Sequence, residues 1–545
     1  MDFLTTLPIA PAATSLAVLV LLVVFLWPEK NKRYTPIAGT VLHQLINFHR
    51  VHHYMTELAC KYKTFRMLGF LRTVVYTADP ANVEYVYKTN FANYGKGVYL
   101  HDILSDSLGD GIFAVDGDKW LHQRKTSSSQ FSTKVLRDFS SEIFKTNGLK
   151  LAGIIHQAAN CNKSIDIQVS LQCLRDHILH IAVYIVYFVC LADRFITCCY
   201  FCWNKDLFMK STLDSIVKIL LGFDLDTLSG TNNDESIRFS NAADDSNGAT
   251  LYRVFDIFWK IKRFLNIGSE AMIRENIKVV DQFIYKLINR KIETLQNSED
   301  DELPVSYMRQ VKKRDFISRL IETRETDPKY LRDMVLSFIA AGKDTTGSAL
   351  SWFFYMMCKH PKIQEKIAQE VREATGLNNT SSADEVAAKL TEEALNKMQY
   401  LHAALTETLR LYPAVPMNSK VCFSDDTWPD GTSVNKGQGV MFLPYAMGRM
   451  AFIWGDDAKE FRPERWLDEN GIFREENPFK FLAFNAGPRI CLGKDYGYIQ
   501  MKIFAAILLS SYIFTLDDKN DVLKYKTMIT LYISNGLHVL ASPRV

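Results

Sequence analysis

The sequence predicts a mainly α-helical fold with a smaller β-rich lobe, preceded by one N-terminal transmembrane helix. Helical patterns of apolar residues dominate most of the chain. Segments rich in β-forming residues are confined to about residues 60–90, 420–445 and 525–545. An almost uninterrupted apolar run, Leu7–Trp27, stands at the N-terminus. Length alone would favour several domains, but we find no internal repeats and expect one large unit behind the apolar run.

The N-terminal run is long enough to cross a bilayer. Its 21 residues rise about 31 Å as a helix, and a hydrocarbon core is about 30 Å thick. Asp2 precedes the run and three basic residues follow it within 30–33, which keeps the rest of the chain in the cytosol. A cleaved signal peptide is the alternative, but the residues before the run carry no positive charge. The predicted units are an anchor at 1–28, a hinge at 29–36 and a large domain at 37–545.

Composition narrows the class of protein. The chain is 48% hydrophobic and 12% aromatic, which is ample for a large core and an apolar pocket. Its net charge of +3, without a basic tract or zinc-ligand spacing, argues against a nucleic-acid partner. Ten cysteines without a regular framework indicate a reducing, cytosolic environment and not a disulfide scaffold.

The most informative run is Phe484–Gly493, which reads F-N-A-G-P-R-I-C-L-G. One cysteine is usually a buried, inert thiol, but five fixed positions in this run disfavour that interpretation. The pattern F-x-x-G-x-R-x-C-x-G resembles the cysteine loop of the cytochromes P-450. The resemblance implies that Cys491 is the axial thiolate ligand of the iron in haem b. The other implied haem-binding residues of the loop are Phe484, Gly487, Arg489 and Gly493. The arginine suits a haem propionate, and the glycines let the backbone approach the macrocycle closely.

A second block, Ala341–Thr346, reads A-G-K-D-T-T inside the apolar stretch Met334–Met357. It resembles the family's long helix across the distal face of the haem. Because glycine and hydroxyl residues are unfavourable in mid-helix, we predict a local break that opens a pocket for dioxygen and water. The resemblance implies that Asp344 and Thr345 are the catalytic acid–alcohol pair that delivers protons during O–O cleavage.

The third and fourth blocks are Glu407–Arg410, an E-x-x-R, and Phe461–Trp466, which reads F-R-P-E-R-W. The first alone carries little information, because many solvated helix faces hold such pairs. Its position, roughly 80 residues before Cys491 and in the family's order, gives it weight. The resemblance implies a structural network of Glu407, Arg410 and Arg465.

A fifth block precedes these four. Trp120–Arg124 matches the family's W-x-x-x-R, and the spacing puts Trp120 and Arg124 on one helix face. The resemblance implies that both reach a haem propionate. A half-buried tryptophan beside a solvated arginine is the alternative. Lys420 could add a further cation, although a surface lysine is the more common outcome. We predict that Gly95–Asp118 is a loop over the pocket.

The resemblance covers roughly residues 35–545 and implies the cytochrome P-450 fold with haem-thiolate monooxygenase activity. The chain has no dinucleotide or flavin motif, so NADPH electrons are expected through a partner, NADPH–cytochrome P-450 reductase. Three stretches, Gly109–Gly117, Phe131–Ser140 and Tyr445–Met450, are similar to the plant clan of fatty-acid omega-hydroxylases, particularly the pollen-wall lipid branch. That similarity implies terminal hydroxylation of long-chain fatty acids. With the anchor, it implies a single-pass protein of the endoplasmic reticulum membrane with its catalytic domain in the cytosol.

Three alternatives remain for the function. The substrate could be another lipophile, such as an alkane, a terpenoid or a sterol. A haem-thiolate isomerase or dehydratase is a second alternative, but such proteins usually lack the acid–threonine pair found at 344–345. The third alternative is an inactive haem-binding product. A carbon monoxide difference spectrum of the reduced protein reports an intact thiolate, and product analysis separates the substrates.

The segment Val169–Lys205 does not fit the resemblance. Of its 37 residues, 26 are hydrophobic and five are cysteines, with no glycine or proline. A second membrane contact would place Asp193 and Arg194 in lipid, and a buried helix pair would need turns without glycine or proline. We favour a retained intron translated in frame, which predicts that the main transcript of the locus lacks it.

Overall fold

The computed structural model describes residues 35–69, 72–131, 133–167, 207–229, 234–254, 256–300, 315–322, 325–378, 381–518 and 524–544. The predicted anchor and the segment at 169–205 lie outside these ranges. Within the described ranges, no helix is both long and apolar enough to cross a membrane.

The described part of the chain is mostly helical, which confirms the predicted class. A π-helical turn at Tyr85–Thr89 follows the third helix. The α-helices are α1 Val41–Ile46, α2 Val51–Tyr62, α3 Pro80–Glu84, α4 Gly97–Leu108, α5 Gly117–Phe131, α6 Lys134–Asn160, α7 Leu207–Leu221, α8 Asp234–Tyr252, α9 Trp259–Leu265, α10 Gly268–Asp300, α11 Phe316–Glu322, α12 Pro328–Lys359, α13 Pro361–Thr375, α14 Ala383–Lys389, α15 Glu392–Lys397, α16 Gln399–Leu411, α17 Pro444–Met447, α18 Ala451–Trp454 and α19 Lys494–Ser511.

The strands form a small lobe and several short pairs. The strands are β1 Ile37–Thr40, β2 Thr64–Leu68, β3 Thr73–Thr77, β4 Tyr94–Gly95, β5 Ile165–Asp166, β6 Asn418–Cys422, β7 Asp426–Thr427, β8 Ser433–Val434, β9 Gly439–Phe442, β10 Tyr512–Leu516, β11 Tyr525–Lys526, β12 Tyr532–Ile533 and β13 His538–Pro543. The largest sheet has the order β1-β2-β3-β9-β6-β4. In it, β2 and β3 are antiparallel with Thr64 opposite Thr77, and β3 and β9 are parallel with Val74 opposite Gly439.

Helix α12 runs through the centre of the helical part. It begins cleanly because the Asp327 carboxylate accepts hydrogen bonds from the Lys329 and Tyr330 amides, and Pro328 occupies the first turn. It ends at Lys359, and His360 then stands directly before the proline that opens α13. Its C-terminal half is buried nearly all round, in a core shared with α6, α16 and α19. Such burial on every side explains the almost continuous apolar sequence of this helix.

Two predictions about local structure are wrong. Gly95–Asp118 is not a loop throughout, because Gly97–Leu108 is helical and only the residues after Gly109 form the connection. Apolar side chains spaced three and four residues apart hold this helix, α4, over the cavity described below. The second error concerns α12, which continues as regular α-helix through 341–346 without a break. Its glycine is accommodated by packing, since a Cβ at Gly342 would lie 2.8 Å from the Ile216 side chain of α7.

Candidate functional site

Cys491 lies in the loop before α19, at the floor of a large cavity. The loop folds back on itself, since the Cys491 amide donates to the Phe484 carbonyl at 2.8 Å. The Phe484 ring packs on Tyr498 of α19, with the ring centres 5.1 Å apart. Cys491 is exposed, but this exposure is to the cavity, whose lining it joins. The fold therefore presents a thiol to the cavity.

The two glycines of the loop have different surroundings. Gly487 has a φ of +63°, and a Cβ there would lie 2.0 Å from the Tyr87 carbonyl oxygen. Glycine is thus required by contact with the protein chain itself. Gly493 has no such constraint, since its nearest neighbour for a Cβ is the Cys491 sulfur at 3.9 Å. A side chain at Gly493 would project toward the sulfur and restrict access to it.

The electrostatic environment of the thiol is mixed. Burial raises the pKa of Cys491, and this is the largest effect. A hydrogen bond from the Gly493 amide and the positive charge of Arg124 act in the opposite direction. Arg124 also donates to the Ile490 carbonyl at 2.6 Å. The guanidinium from α5 therefore contacts the loop one residue before the thiol.

Arg489 and Trp120 lie against each other beside the same cavity. The Arg489 guanidinium stands over the Trp120 indole, 4.5 Å from the ring centre. It forms an ion pair with Asp116 at 2.6 Å and donates to the Val115 carbonyl. Its Nε is buried and has no hydrogen-bond partner among the described residues. One edge of the guanidinium is thus fixed by protein and one nitrogen remains unsatisfied.

Two lysines complete a cationic wall in the cavity. Lys420 on β6 is buried, and its Nζ, over the Tyr87 ring, has no hydrogen-bond partner in the described part of the chain. Burial and the neighbouring cations lower the pKa of Lys420 to about 7. Burial and Arg489 lower the pKa of Lys96 to about 8, against the opposing charge of Asp116. One carboxylate does not neutralise these three cations, so a bound group with carboxylates of its own fits here.

The sequence patterns did not identify Lys96 or Asp116. Asp116 accepts hydrogen bonds from the Lys96 and Gly97 amides in addition to Arg489, and so ties the start of α4 to the cysteine loop. The positions of the two residues were visible in the sequence, since Lys96 directly follows Gly95 and Asp116 directly precedes the helix that carries Trp120. Neither residue belongs to a recognisable motif, and only the fold brings them together.

Asp344 and Thr345 of α12 lie on the cavity lining together with Cys491. The Thr345 hydroxyl donates to the Ala341 carbonyl at 2.5 Å. It can therefore present only its lone pairs to the cavity, as an acceptor. One oxygen of Asp344 is buried and has no hydrogen-bond partner among the described residues. The chain thus places an acid and an acceptor hydroxyl side by side.

Glu407, Arg410 and Arg465 meet behind the cavity, in the protein interior. Two parallel hydrogen bonds of 2.7 Å join the carboxylate of Glu407 to the guanidinium of Arg410, and both side chains are fully buried. Arg465 approaches Glu407 at 3.5 Å and donates to the Trp454 carbonyl. Trp466 donates its indole N–H to the second carboxylate oxygen at 2.8 Å. The network joins α16 to the segment before the cysteine loop.

The cavity has a volume of about 1790 Å³ and a predominantly apolar lining. It brings together the cysteine loop, the tryptophan helix α5 and the A-G-K-D-T-T segment, but not the buried Glu407 network. The unsatisfied cations, the open thiol and the space above it fit a flat macrocycle with two carboxylates.

Comparisons with known proteins give one consistent result. The family profile described as Cytochrome P450 matches residues 31–195 and 203–539. The chain is 45% identical over 535 residues to Cytochrome P450 704C1 of Pinus taeda, covering 95% of this chain and 94% of the relative. It is 39% identical over 546 residues to Cytochrome P450 704B1 of Arabidopsis thaliana, with 95% and 96% covered. Identity to Cytochrome P450 94A1 of Vicia sativa is 33% over 489 residues, with 88% and 83% covered.

Profile, relatives and cavity agree, and the chain belongs to the cytochrome P450 family of monooxygenases, which use haem b, electrons from NADPH supplied through a redox partner, and lipophilic substrates.

Proposed function

We propose that this monooxygenase hydroxylates the terminal carbon of long-chain fatty acids. The observation that carries the proposal is the predominantly apolar cavity of about 1790 Å³ above Cys491, which has room for an extended alkyl chain beside the cofactor. The resemblance to plant fatty-acid omega-hydroxylases supports the same substrate class. The matched relatives are plant proteins of the same family.

Several residues of the chain fit the cofactor. The Cys491 sulfur would ligate the iron, and Trp120, Arg124, Arg489 and Lys420 would hold the propionates, where two buried nitrogens lack hydrogen-bond partners among the described residues. Bound haem supplies the activation of dioxygen, in which two electrons from NADPH and two protons give one hydroxyl on the substrate and one water. The protein must position the substrate, exclude water and bring protons to the reacting oxygen.

Asp344 and Thr345 would perform the proton transfer. Thr345 already donates to Ala341, so its oxygen accepts a hydrogen bond from a water or hydroxyl in the cavity and orients its proton. Asp344 lies one residue away, with one carboxylate oxygen that has no hydrogen bond to the described residues. A carboxylate in this position can take a proton from water and release it toward the cavity.

Replacing Thr345 with alanine is expected to uncouple electron consumption from hydroxylation. Without the acceptor oxygen, water and its protons are not held in place, so reduced oxygen is released as hydrogen peroxide. NADPH consumption should continue while product per NADPH falls about tenfold or more. Measuring NADPH, peroxide and product in the same reaction checks this. Thr345→Ser keeps the oxygen and should stay close to wild type, whereas unchanged coupling in the alanine variant would remove Thr345 from the proton path.

A fatty acid also needs a cation for its carboxylate. Arg72, at the exposed edge of the cavity lining, makes no ion pair with a carboxylate of the described residues. Its guanidinium stands 4.6 Å from the centre of the Tyr99 ring. Burial raises the pKa of Tyr99 while Arg72 and Lys260 lower it, so the hydroxyl faces a positive field. A free guanidinium beside a tyrosine suits a carboxylate.

Arg72→Ala tests the substrate class. With reductase and a long-chain fatty acid, KM should rise about tenfold, because a charge-assisted contact is lost. KM for the alkane of equal length should not change. Arg137→Ala removes an arginine paired with Glu392 on the surface and serves as the matched control. If the wild type turns over alkanes, terpenoids or sterols but not fatty acids, the proposed substrate is wrong.

The same proposal places the enzyme on a membrane. Large apolar side chains of α9 are exposed, with Phe264 at 88% and Ile261 at 56%. Neighbouring residues Val254 and Trp259 line the cavity, so a lipid could pass from this surface into it. Together with the N-terminal apolar run, this supports a single-pass protein of the endoplasmic reticulum membrane. Its catalytic domain would face the cytosol, with NADPH–cytochrome P-450 reductase as the electron donor.

A further inference from the structure

A buried lysine stands between two carboxylates at the cavity. Lys343 of α12 has a side chain only 6% exposed. Its ammonium forms an ion pair with Asp244 of α8 and lies 3.5 Å from Asp344. The three residues, here named the roof bridge, link the central helix to a helix that covers the cavity. All three contribute to the cavity lining.

Stability alone explains the roof bridge poorly. Withdrawing the lysine from water carries a desolvation penalty that ion pairing often does no more than offset, and its partner Asp244 is 37% exposed and so only partly withdrawn. An apolar residue at 343 would pack there without that penalty. The three charges also interact, since burial and Asp344 raise the pKa of Asp244 while Lys343 lowers it. An arrangement that carries a desolvation penalty, next to the proposed catalytic acid Asp344, points to a role in the reaction.

The backbone of α12 is fixed at this point, so only the side chains can respond. The Thr212 hydroxyl of α7 lies 3.0 Å from the Lys343 carbonyl and shares its one proton between this oxygen and two carbonyls of its own helix. Gly342 packs against Ile216 of the same helix, where even a Cβ would be too close. This packing opposes rotation of the helix about its axis, and the lysine reaches Asp244 by its side chain.

The contacts of the ammonium with Asp244 and with Asp344 differ in strength. Asp244 is hydrogen-bonded to Lys343. Asp344 is held only electrostatically, because the 3.5 Å contact is not a hydrogen bond and its Oδ1 has no other partner in the described ranges. A carboxylate held in this manner keeps its position yet can rotate away to exchange a proton. A relay acid needs both properties.

We propose that Lys343 is a positioning residue for proton delivery. It holds Asp344 in place and, through Asp244, makes that placement depend on the position of α8 over the cavity. The inference rests on the monooxygenase activity but not on the identity of the substrate. When α8 moves away from the cavity, Asp244 draws the ammonium with it and Asp344 loses its restraint. Proton delivery is thereby favoured when the cavity is closed.

The test measures coupling and helix mobility in the full-length holoenzyme with reductase, using any substrate that the wild type hydroxylates. For Lys343→Met we expect product per NADPH to fall about tenfold, with peroxide accounting for the lost electrons. Amide hydrogen exchange in residues 234–252 should rise. Lys343→Arg keeps the cation and should restore both readouts, and Asp244→Asn should shift both in the same direction as Lys343→Met.

Lys286→Met is the matched control. Lys286 also pairs with a carboxylate of α8, Glu235, at 2.7 Å, but on the surface, where the two side chains are 62% and 50% exposed. It should change neither coupling nor exchange appreciably. If Lys343→Met shows faster amide exchange in α8 but the wild-type yield of product per NADPH, the roof bridge only holds α8 in place. That result would overturn the proposal.

Two further outcomes are decisive. If Lys343→Met fails to take up haem, Asp244→Asn decides, and normal coupling in that variant overturns the proposal. If the wild type hydroxylates another lipophile but no fatty acid, the proposed substrate fails. Coupling with that lipophile and exchange in α8 then still decide the role of Lys343.

Discussion

Cys491→Ala is expected to yield a protein with little haem and no monooxygenase activity. The sulfur is the only thiol on the cavity lining of the described residues, at the point where the cationic wall and α12 converge. An alanine leaves no ligand for the iron on this side, and the electron donation that favours O–O cleavage is lost with it. The measurements are haem content per protein and the carbon monoxide difference spectrum of the reduced protein.

Two variants sharpen this prediction. Cys491→Ser keeps a polar atom at the same place, so it could retain some haem but should not give the shifted Soret band of a thiolate complex. Cys161→Ala removes an exposed thiol at the end of α6 and should behave as wild type. Normal spectra and turnover in Cys491→Ala would mean that another residue ligates the iron, and the assignment of the site would be wrong.

The sequence located much of the site because short motifs report local backbone requirements. The cysteine loop brings Phe484, Gly487 and Cys491 together within a few residues, and the E-x-x-R motif is satisfied within one turn of α16. Such patterns can be recognised in the sequence because the residues that form them are close together in the chain. The physical reason assigned to Gly487 was nevertheless incomplete, because the close approach is to the Tyr87 carbonyl.

Contacts between distant segments could not be predicted in this way. Lys420 was a candidate cation with a surface position as the alternative, and only the fold shows that β6 places it in the cavity wall, beside Lys96 and Arg489. Asp244 is 99 residues from Lys343 in sequence and shares no motif with it. Ion pairs of this kind depend on how α8 and α12 cross, which periodicity does not specify.

Local propensity misled the prediction in two places. Gly95–Asp118 was predicted to be a loop, but the apolar side chains within 97–108 line the cavity and a helix forms. The glycine and threonines of α12 suggested a break, but packing against α7 compensates for the glycine and Thr345 hydrogen-bonds within the helix. In both cases tertiary contacts outweighed the preference of the isolated segment.

Glu407→Ala is expected to abolish folding of the haem-binding part of the protein. It would leave the Arg410 guanidinium fully buried without a counter-charge, and removing one partner of such a pair typically costs about 3–5 kcal/mol. Further hydrogen bonds from Trp466 at 2.8 Å and from the Arg462 amide at 3.0 Å would be lost with it. That sum is comparable to the whole stability of many proteins. Soluble yield, haem content and the thermal unfolding midpoint measure the effect.

The network's charge can be separated from its shape by Glu407→Gln. The amide keeps the volume, and its one oxygen can accept from Arg410 Nε and Trp466. Its NH2 would face the donors of Arg410 and Arg462, and it cannot balance the positive charge, so we expect a folded protein with a lowered unfolding midpoint. Glu464→Gln is the matched control, because that carboxylate accepts from Tyr400 and Lys366 near the surface, with its side chain 51% exposed. It should change the midpoint little. If Glu407→Ala folds and binds haem as well as this control does, the carbonyls of Gly448, Ala458 and Glu460 suffice for Arg410, and the carboxylate is dispensable.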